Sequence, residues 1–491
     1  MTSAVRVGHN ELLVVAGLMV PLGLLADSLV VSAIGVLLAW IAFSMILPRG
    51  GASVAFAVGV LWTNAAVVAD KIHGAPAVVG LLPILILAAL AAGHIVGHER
   101  GVVVSPAFRM LLVHGAALAL ATLFAINAAE AFTSLQTFVI EGLLLWFVVM
   151  NAVHTREGLR LATVALVGGA AFLGLVSVLQ FVTKSYGNDF GGFAQLNTTR
   201  IELLTSGDAS SPKLSGPIGE QNRYAQILLV AVPLAVALSR RWVRWPLMAL
   251  GAALAMTAGV ALTTSRGAAV ALALTLPAMA VLRLVSVRAL AVAGAAMVVL
   301  VLLIPGYQDR LASSITAVRG LDPSSEEEID LSALSRVAEN IAAYNVFVDN
   351  PGLGVGPGGF PDQYERYAER VGLNVKEGNR QPHNLYLGIA AEDGVVGLST
   401  FLAVVGIVLW RLMGLWWRAR NSEPEIAALA AGFVSAIGGY LLSGVFLHLA
   451  FERYYWLMLA LADVATRIGT HELERDPADQ VVSPDLVPGL V

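Results

Sequence analysis

The sequence predicts an all-α fold: a polytopic transmembrane helix bundle of about 12–14 spans with a large, partly helical extracytoplasmic loop. Three observations carry this. Hydrophobic types make up 57% of the 491 residues and charged types only 13%, whereas soluble domains run near 45–50% and about 25%. The excess is concentrated in runs of about 18–22 residues that contain few charges, the length a helix needs to cross a hydrocarbon core of roughly 30 Å. In lipid the backbone must satisfy its own polar groups, so runs of this length are helices. Finally, the arginines fall in alternate loops, as cytoplasmic loops require.

The elements follow in order. Residues 1–182 hold spans near 11–26, 29–47, 52–69, 77–97, 106–127, 134–152 and 159–182. The start of the chain lacks a small-residue cleavage site after a short apolar core, so it reads as the first span and not as a removed signal peptide. Pro21 interrupts that first run, which leaves the count between twelve and fourteen. An outer loop occupies 183–219. Residues 220–305 carry spans near 220–239, 245–264, 267–283 and 288–305. A large outer loop covers 306–393, and its polar part is 306–382. Spans near 394–415, 425–447 and 453–468 make up 394–470, and the polar, Pro-containing stretch 471–491 reads as a disordered cytoplasmic tail. In the fourteen-span arrangement Arg49, Arg100, Arg156, Arg160, Arg240, Arg241, Arg244, Arg283, Arg288, Arg418 and Arg420 share one side with Arg6 and the tail. That side is the cytoplasm, which puts 183–219 and 306–382 outside.

The large loop carries order of its own. "LSALSRVAENIAAYNVFVDNP" has apolar residues at helical spacing and stops before Pro351. "NPGLGVGPGGF" is a Gly/Pro turn region, and "DQYERYAERVG" reads as a second short helix. "DPSSEEEID" before them reads as a flexible tip.

Few residues can carry chemistry. Cysteine is absent, which excludes disulfides, thiolate metal sites and a cysteine nucleophile. Histidines 94, 98, 114, 154 and 448 lack metal-ligand spacing, so neither a metal site nor a cofactor is expected. "GVGPGG" follows no strand and precedes no lysine, which argues against a nucleotide site. Arg223, in "GPIGEQNRYAQILLV", lies a few residues into a span at its outer end. Arg266, in "ALTTSRGAAVALAL", lies at an outer tip between two spans. A boundary arginine most simply snorkels to the interface. Two of them on the outer side run against the charge trend, and the guanidinium fork grips phosphate oxygens two at a time. His383, in "RQPHNLYLGIAAEDGVVGL", stands where the large loop enters the next span. A lone histidine is more often a helix cap or a carbonyl partner, but the fixed entry at Pro382 favours a general base. Arg336 lies on the loop helix, either solvated or facing the site. Asn384, Tyr386 and Glu392 are candidate contacts for an acceptor or a sugar, with Asp393 beside the last. Glu130, Glu141 and Asp70 could mark a polar path, but no role is assigned to them.

The stretch "NPGLGVGPGGF … PHNLYLGIAAEDGVVGL", "SRGA" at a span tip and an arginine a few residues into an earlier span resemble the O-antigen ligase and polysaccharide polymerase superfamily. The resemblance covers roughly 215–400; the first 200 residues match only in hydropathy. It implies a metal-independent, inverting membrane glycosyltransferase that moves a glycan from a polyprenyl diphosphate to an acceptor hydroxyl. The reaction would take place on the outer face of the cytoplasmic membrane, as in lipopolysaccharide biosynthesis. It implies His383 as the catalytic residue, Arg223 and Arg266 as diphosphate binders and, more weakly, Arg336. Partners would be the lipid-linked glycan, an acceptor glycolipid, glycan or protein, and the bilayer, with no nucleic acid. Ligase and polymerase differ only in acceptor, and the reading leans to the ligase. Two other classes stay open. A transporter or flippase of lipid-linked sugars explains many spans but not the ordered loop ending in a histidine motif. A peptidoglycan polymerase of the shape-and-division type fits the "PHNLYL" context poorly. Fourteen spans also exceed the roughly twelve of the ligases, which leaves the peripheral helices in question.

Overall fold

The computed structural model describes residues 50–96, 101–196, 213–240, 243–292, 294–295, 331–370, 380–447 and 453–474. The expected spans at 11–26 and 29–47, most of 288–305, the tip "DPSSEEEID" and the tail from 475 lie outside these residues. So do Arg6, Arg49, Arg100, Arg241, His98 and His448. The helices, in order, are α1 (Gly51–Thr63), α2 (Ala65–Lys71), α3 (Leu82–Val96), α4 (Pro106–Leu123), α5 (Ala128–Ala152), α6 (Arg156–Thr183), α7 (Gln221–Leu238), α8 (Pro246–Leu262), α9 (Arg266–Val281), α10 (Leu331–Asp349), α11 (Phe360–Glu369), α12 (Leu385–Ala419), α13 (Pro424–Ser443) and α14 (Arg453–Glu474). The strands among the described residues are one short antiparallel pair, β1 (Gln195–Leu196) and β2 (Leu214–Gly216), in the shorter loop.

The protein is an all-α, multi-pass membrane bundle. Among the described residues seven helices are long and apolar enough to cross a bilayer, or eight if the bent pair α1–α2 is one span. The remaining expected spans that fall within the described residues are helices too, but they fail that test for physical reasons. α8 and α9 are apolar but short, at 17 and 16 residues. α14 is long but interrupted by Arg453, Asp463 and Arg467. It is buried without a break from Tyr454 to Thr466, so those polar groups meet protein and not lipid. Asp463, for example, accepts hydrogen bonds from Ser105 Oγ and, at 3.3 Å, from Trp146 Nε1. α7 is the second central helix, buried throughout from Tyr224 to Ala235, and it packs on α13 and α8. Small residues allow this density: a Cβ on Gly174 of α6 would lie 2.7 Å from the Ala255 carbonyl oxygen of α8. The outer helices expose large aliphatics instead, such as Leu82 and Leu85 on α3 and Leu247 and Leu254 on α8, the surface a lipid-facing helix presents.

The two ends of the bundle differ. At one end Arg156 pairs with Glu425 and, at 3.2 Å, with Glu472, and Arg418 lies 3.6 Å from Glu474. These contacts gather the start of α6, the α12–α13 turn and the end of α14. The opposite end holds the starts of α7, α9 and α12 and the close of α13, with the loop helices α10 and α11 packed there.

Candidate active site

The turn that closes α13 organises this opposite end. Ser443 Oγ accepts from Gln226 Nε2 of α7 at 2.6 Å. The Gly444 carbonyl accepts from Leu385 N, the first residue of α12, at 2.7 Å. The Val445 carbonyl accepts from Asn384 Nδ2 at 3.2 Å. Phe446 lies so close to α9 that a Cβ on Gly267 would come within 2.8 Å of its own Cβ. Four consecutive residues thus hold three helix starts together. Each start is fixed locally by its own cap: Glu220 accepts from the amides of Asn222 and Arg223, Ser265 from Ala268, and Asn384 from Tyr386 and Leu387. Ser265 Oγ also donates to Asn222 Oδ1 at 2.8 Å, which ties α7 to α9 directly. Arg223 and Arg266 are the residues immediately after this bonded pair. Both are half-buried at the positive ends of their helices, where anions are favoured.

The loop reaches the bundle through the Gly/Pro turn. α12 breaks at Gly394, whose φ of 64° and ψ of −165° are tolerated essentially by glycine alone. Such a break strands backbone groups that a buried helix must satisfy. The turn satisfies them. Val355 N donates to the Ala391 carbonyl at 3.0 Å and Gly356 N to the Glu392 carbonyl at 2.8 Å; Val395 N donates to Pro351 O at 2.8 Å and Val396 N to Gly352 O at 3.3 Å. The approach leaves no room for side chains: a Cβ on Gly394 would sit 2.2 Å from Gly352 O, and one on Gly354 2.3 Å from the Glu392 carbonyl carbon. "NPGLGVG" and "AEDGVVGL" are therefore two halves of one clasp. Ala342, Ala343 and Val346 of α10 and Phe360, Tyr364 and Tyr367 of α11 bury a small core against it.

The clasp positions α10 so that Glu339 meets His383. Glu339 Oε2 lies 2.5 Å from His383 Nδ1, and its other oxygen accepts from Ser335 Oγ at 3.1 Å. The carboxylate is 1% exposed and the imidazole 24%. A buried carboxylate is costly unless bonded, and these two partners supply the bonds. Burial, and then the Glu339 charge, raise the Tyr364 phenol above its usual range, partly offset by Arg380, so the phenol stays protonated at neutral pH. Arg336 lies one turn before Glu339 on the same helix, half-buried.

The remaining sequence candidates have work inside the fold. Asn384 caps α12 and bonds Val445; the Tyr386 hydroxyl donates to Leu441 O at 2.9 Å; Glu392 accepts from Phe360 N at 3.4 Å and is buried beneath the clasp. The structure thus brings His383, Arg223 and Arg266 around residues 443–446, and gives Asn384, Tyr386 and Glu392 the bonds that hold that arrangement. Glu339 is the residue that sequence reasoning missed. Its signal was present: a lone carboxylate inside the apolar stripe formed by Ala338, Ala342, Ala343 and Val346 on α10.

These features put a carboxylate-bonded imidazole, borne by an ordered loop, at the same end of the bundle as two arginines at helix starts. Residues 251–402, a little under a third of the chain, match the family model described as O-antigen ligase. The match includes Arg266, Arg336, Glu339 and His383; Arg223 and Arg453 lie outside it. It supports a membrane glycosyltransferase of the ligase or polymerase kind. No curated protein matches the chain.

Proposed function

We propose that the protein transfers a glycan from a polyprenyl diphosphate to an acceptor hydroxyl at the outer face of the cytoplasmic membrane, with both termini on the cytoplasmic side. The observation that carries this reading is the Glu339–His383 pair inside the O-antigen ligase domain. With Glu339 ionised, the imidazole donates through Nδ1 and keeps its basic lone pair on Nε2. Nε2 removes the proton of the acceptor hydroxyl as that oxygen bonds to the anomeric carbon of the donor sugar. The bond from that carbon to the diphosphate breaks, and its electron pair leaves with the diphosphate. Arg223 and Arg266 neutralise the leaving charge, so the step needs neither a covalent nucleophile nor a metal. Attack opposite the leaving group inverts the anomeric carbon. Arg336 is read as a further contact to the donor, and Asn384, Tyr386 and Glu392 as contacts or supports on the acceptor side.

The acceptor is a glycolipid, a second lipid-linked repeat or a protein, and the product identifies it. Supplying purified protein with lipid-linked glycan and each acceptor separates ligase from polymerase. In that assay His383→Ala lowers transfer by roughly 10²–10⁴-fold while donor binding and the folded state persist. A variant within roughly tenfold of the native rate removes His383 as the base.

A further inference from the structure

A cavity of about 200 Å³ lies beside the active site, between α2, α7 and α14. Its polar lining consists of Lys71, Arg223, Arg453, Asn64, Gln195 and Gln226, and the rest is aliphatic and aromatic. Three cationic side chains face one small space, and among the described residues no carboxylate lines it. Like charges gathered around one small space repel, and a bound anion relieves that repulsion.

The position of Arg453 is built, not incidental. Its Nη1 donates to Glu141 Oε1 at 3.3 Å, and its Nη2 donates to Asn64 Oδ1. Glu141 sits in the single π-helical turn of α5, Val139–Leu144, a rare distortion that aims side chains away from a regular helix. Asn64 forms the 55° break between α1 and α2 in the left-handed conformation that asparagine tolerates, and its Nδ2 donates to Pro217 O at 2.9 Å. Two helix distortions thus converge on one guanidinium. The cavity is also joined to the chemistry: it shares Arg223 with the active site, and Gln226 bonds Ser443 of the organising turn.

We propose that this cavity binds the diphosphate and the first isoprenoid carbons of the donor lipid, and that Arg453 and Lys71 share the diphosphate charge with Arg223. The inference rests on the glycosyl-transfer reading and adds a phosphate-binding residue, Arg453, from a span outside the family domain. A diphosphate matches three cations better than a monophosphate does, and the apolar wall suits a prenyl chain.

The test measures binding and transfer separately, on the full-length protein in phosphatidylcholine nanodiscs. The binding probes are sugar-free polyprenyl diphosphate, polyprenyl monophosphate, inorganic diphosphate and phosphatidylglycerol. Arg453→Gln is expected to weaken polyprenyl diphosphate binding by roughly 10- to 100-fold, the loss of a charge-assisted contact, and to affect the monophosphate less. Arg453→Lys recovers part of the affinity, because it keeps the charge but not the fork. Lys71→Gln, at an exposed position, weakens binding in the same direction and serves if Arg453→Gln fails to fold. Native affinity in folded Arg453→Gln or in Lys71→Gln overturns the proposal. So does phosphatidylglycerol binding as tightly as the diphosphate lipid, which would mark a general anionic-lipid site. Inorganic diphosphate binding as tightly as the lipid would mean that the prenyl wall contributes nothing, and overturns the lipid assignment. The two readings fail separately: full transfer by His383→Ala with Arg453-dependent binding removes the mechanism and leaves the cavity, whereas native binding and transfer in Arg453→Gln does the reverse.

Discussion

Glu339→Gln is the most informative substitution at this site, because it changes one atom and preserves shape. The carboxylate meets His383 Nδ1 at 2.5 Å with 1% of its side chain exposed, so solvent cannot replace it. Losing a hydrogen bond to a charged group costs about 1.5–3 kcal/mol, which at 1.36 kcal/mol per decade is roughly 10- to 150-fold in rate. That is a lower bound. A glutamine can donate to Nδ1 and hold the proton on Nε2, the atom proposed to take the acceptor's proton. The corresponding Asp→Asn change in a Ser-His-Asp triad costs roughly 10⁴-fold through that wrong tautomer. Turnover should therefore fall by roughly 10- to 10⁴-fold while the KM for the donor, whose proposed ligands are the arginines, changes little. Glu339→Asp should recover part of the rate. The assay is steady-state transfer of a labelled lipid-linked glycan, with thermal unfolding measured alongside. Native turnover in folded Glu339→Gln, or a loss carried by the donor KM and not by turnover, would show that the pair only holds the loop in place.

Two further predictions concern the clasp and the orientation. Gly394→Ala forces a Cβ to within 2.2 Å of Gly352 O at a backbone angle only glycine accepts, and should destabilise docking of the turn by at least about 2 kcal/mol. Amide exchange across 351–369 should accelerate, and native protection there would contradict the clasp. In this cysteine-free chain, Glu365→Cys on α11 should react with an impermeant maleimide from outside intact cells, and Asn421→Cys at the other end of α12 only after permeabilisation. The reverse pattern would put the site on the cytoplasmic face.

The clasp shows why two motifs with a gap between them belong together. Each of "NPGLGVG" and "AEDGVVGL" reads alone as a glycine-rich interruption, and nothing in either predicts that one supplies the hydrogen bonds the other lacks. Arg266 was legible because "SRGA" interrupts an apolar run at its outer tip. Arg453 satisfies the same criterion at the start of the span at 453–468, but its significance appears only when Glu141 and Asn64 are seen to hold it.

The sequence by itself determined that the chain is a helical membrane bundle, where most helices run, and which loop carries the histidine. Those properties follow from local composition: hydrocarbon demands apolar runs of a set length, and breaks in such runs expose the residues that need water or a ligand. Tertiary structure alone decided that Glu339 supports His383, that residues 443–446 gather three helix starts, and that α14, unusually polar for a span, is buried at the centre. These are contacts between residues 44 to more than 200 positions apart, such as Glu339 with His383 and Gln226 with Ser443. Packing geometry sets them, and a hydropathy pattern, which is read over one helix at a time, contains no record of which face of one helix meets which face of another.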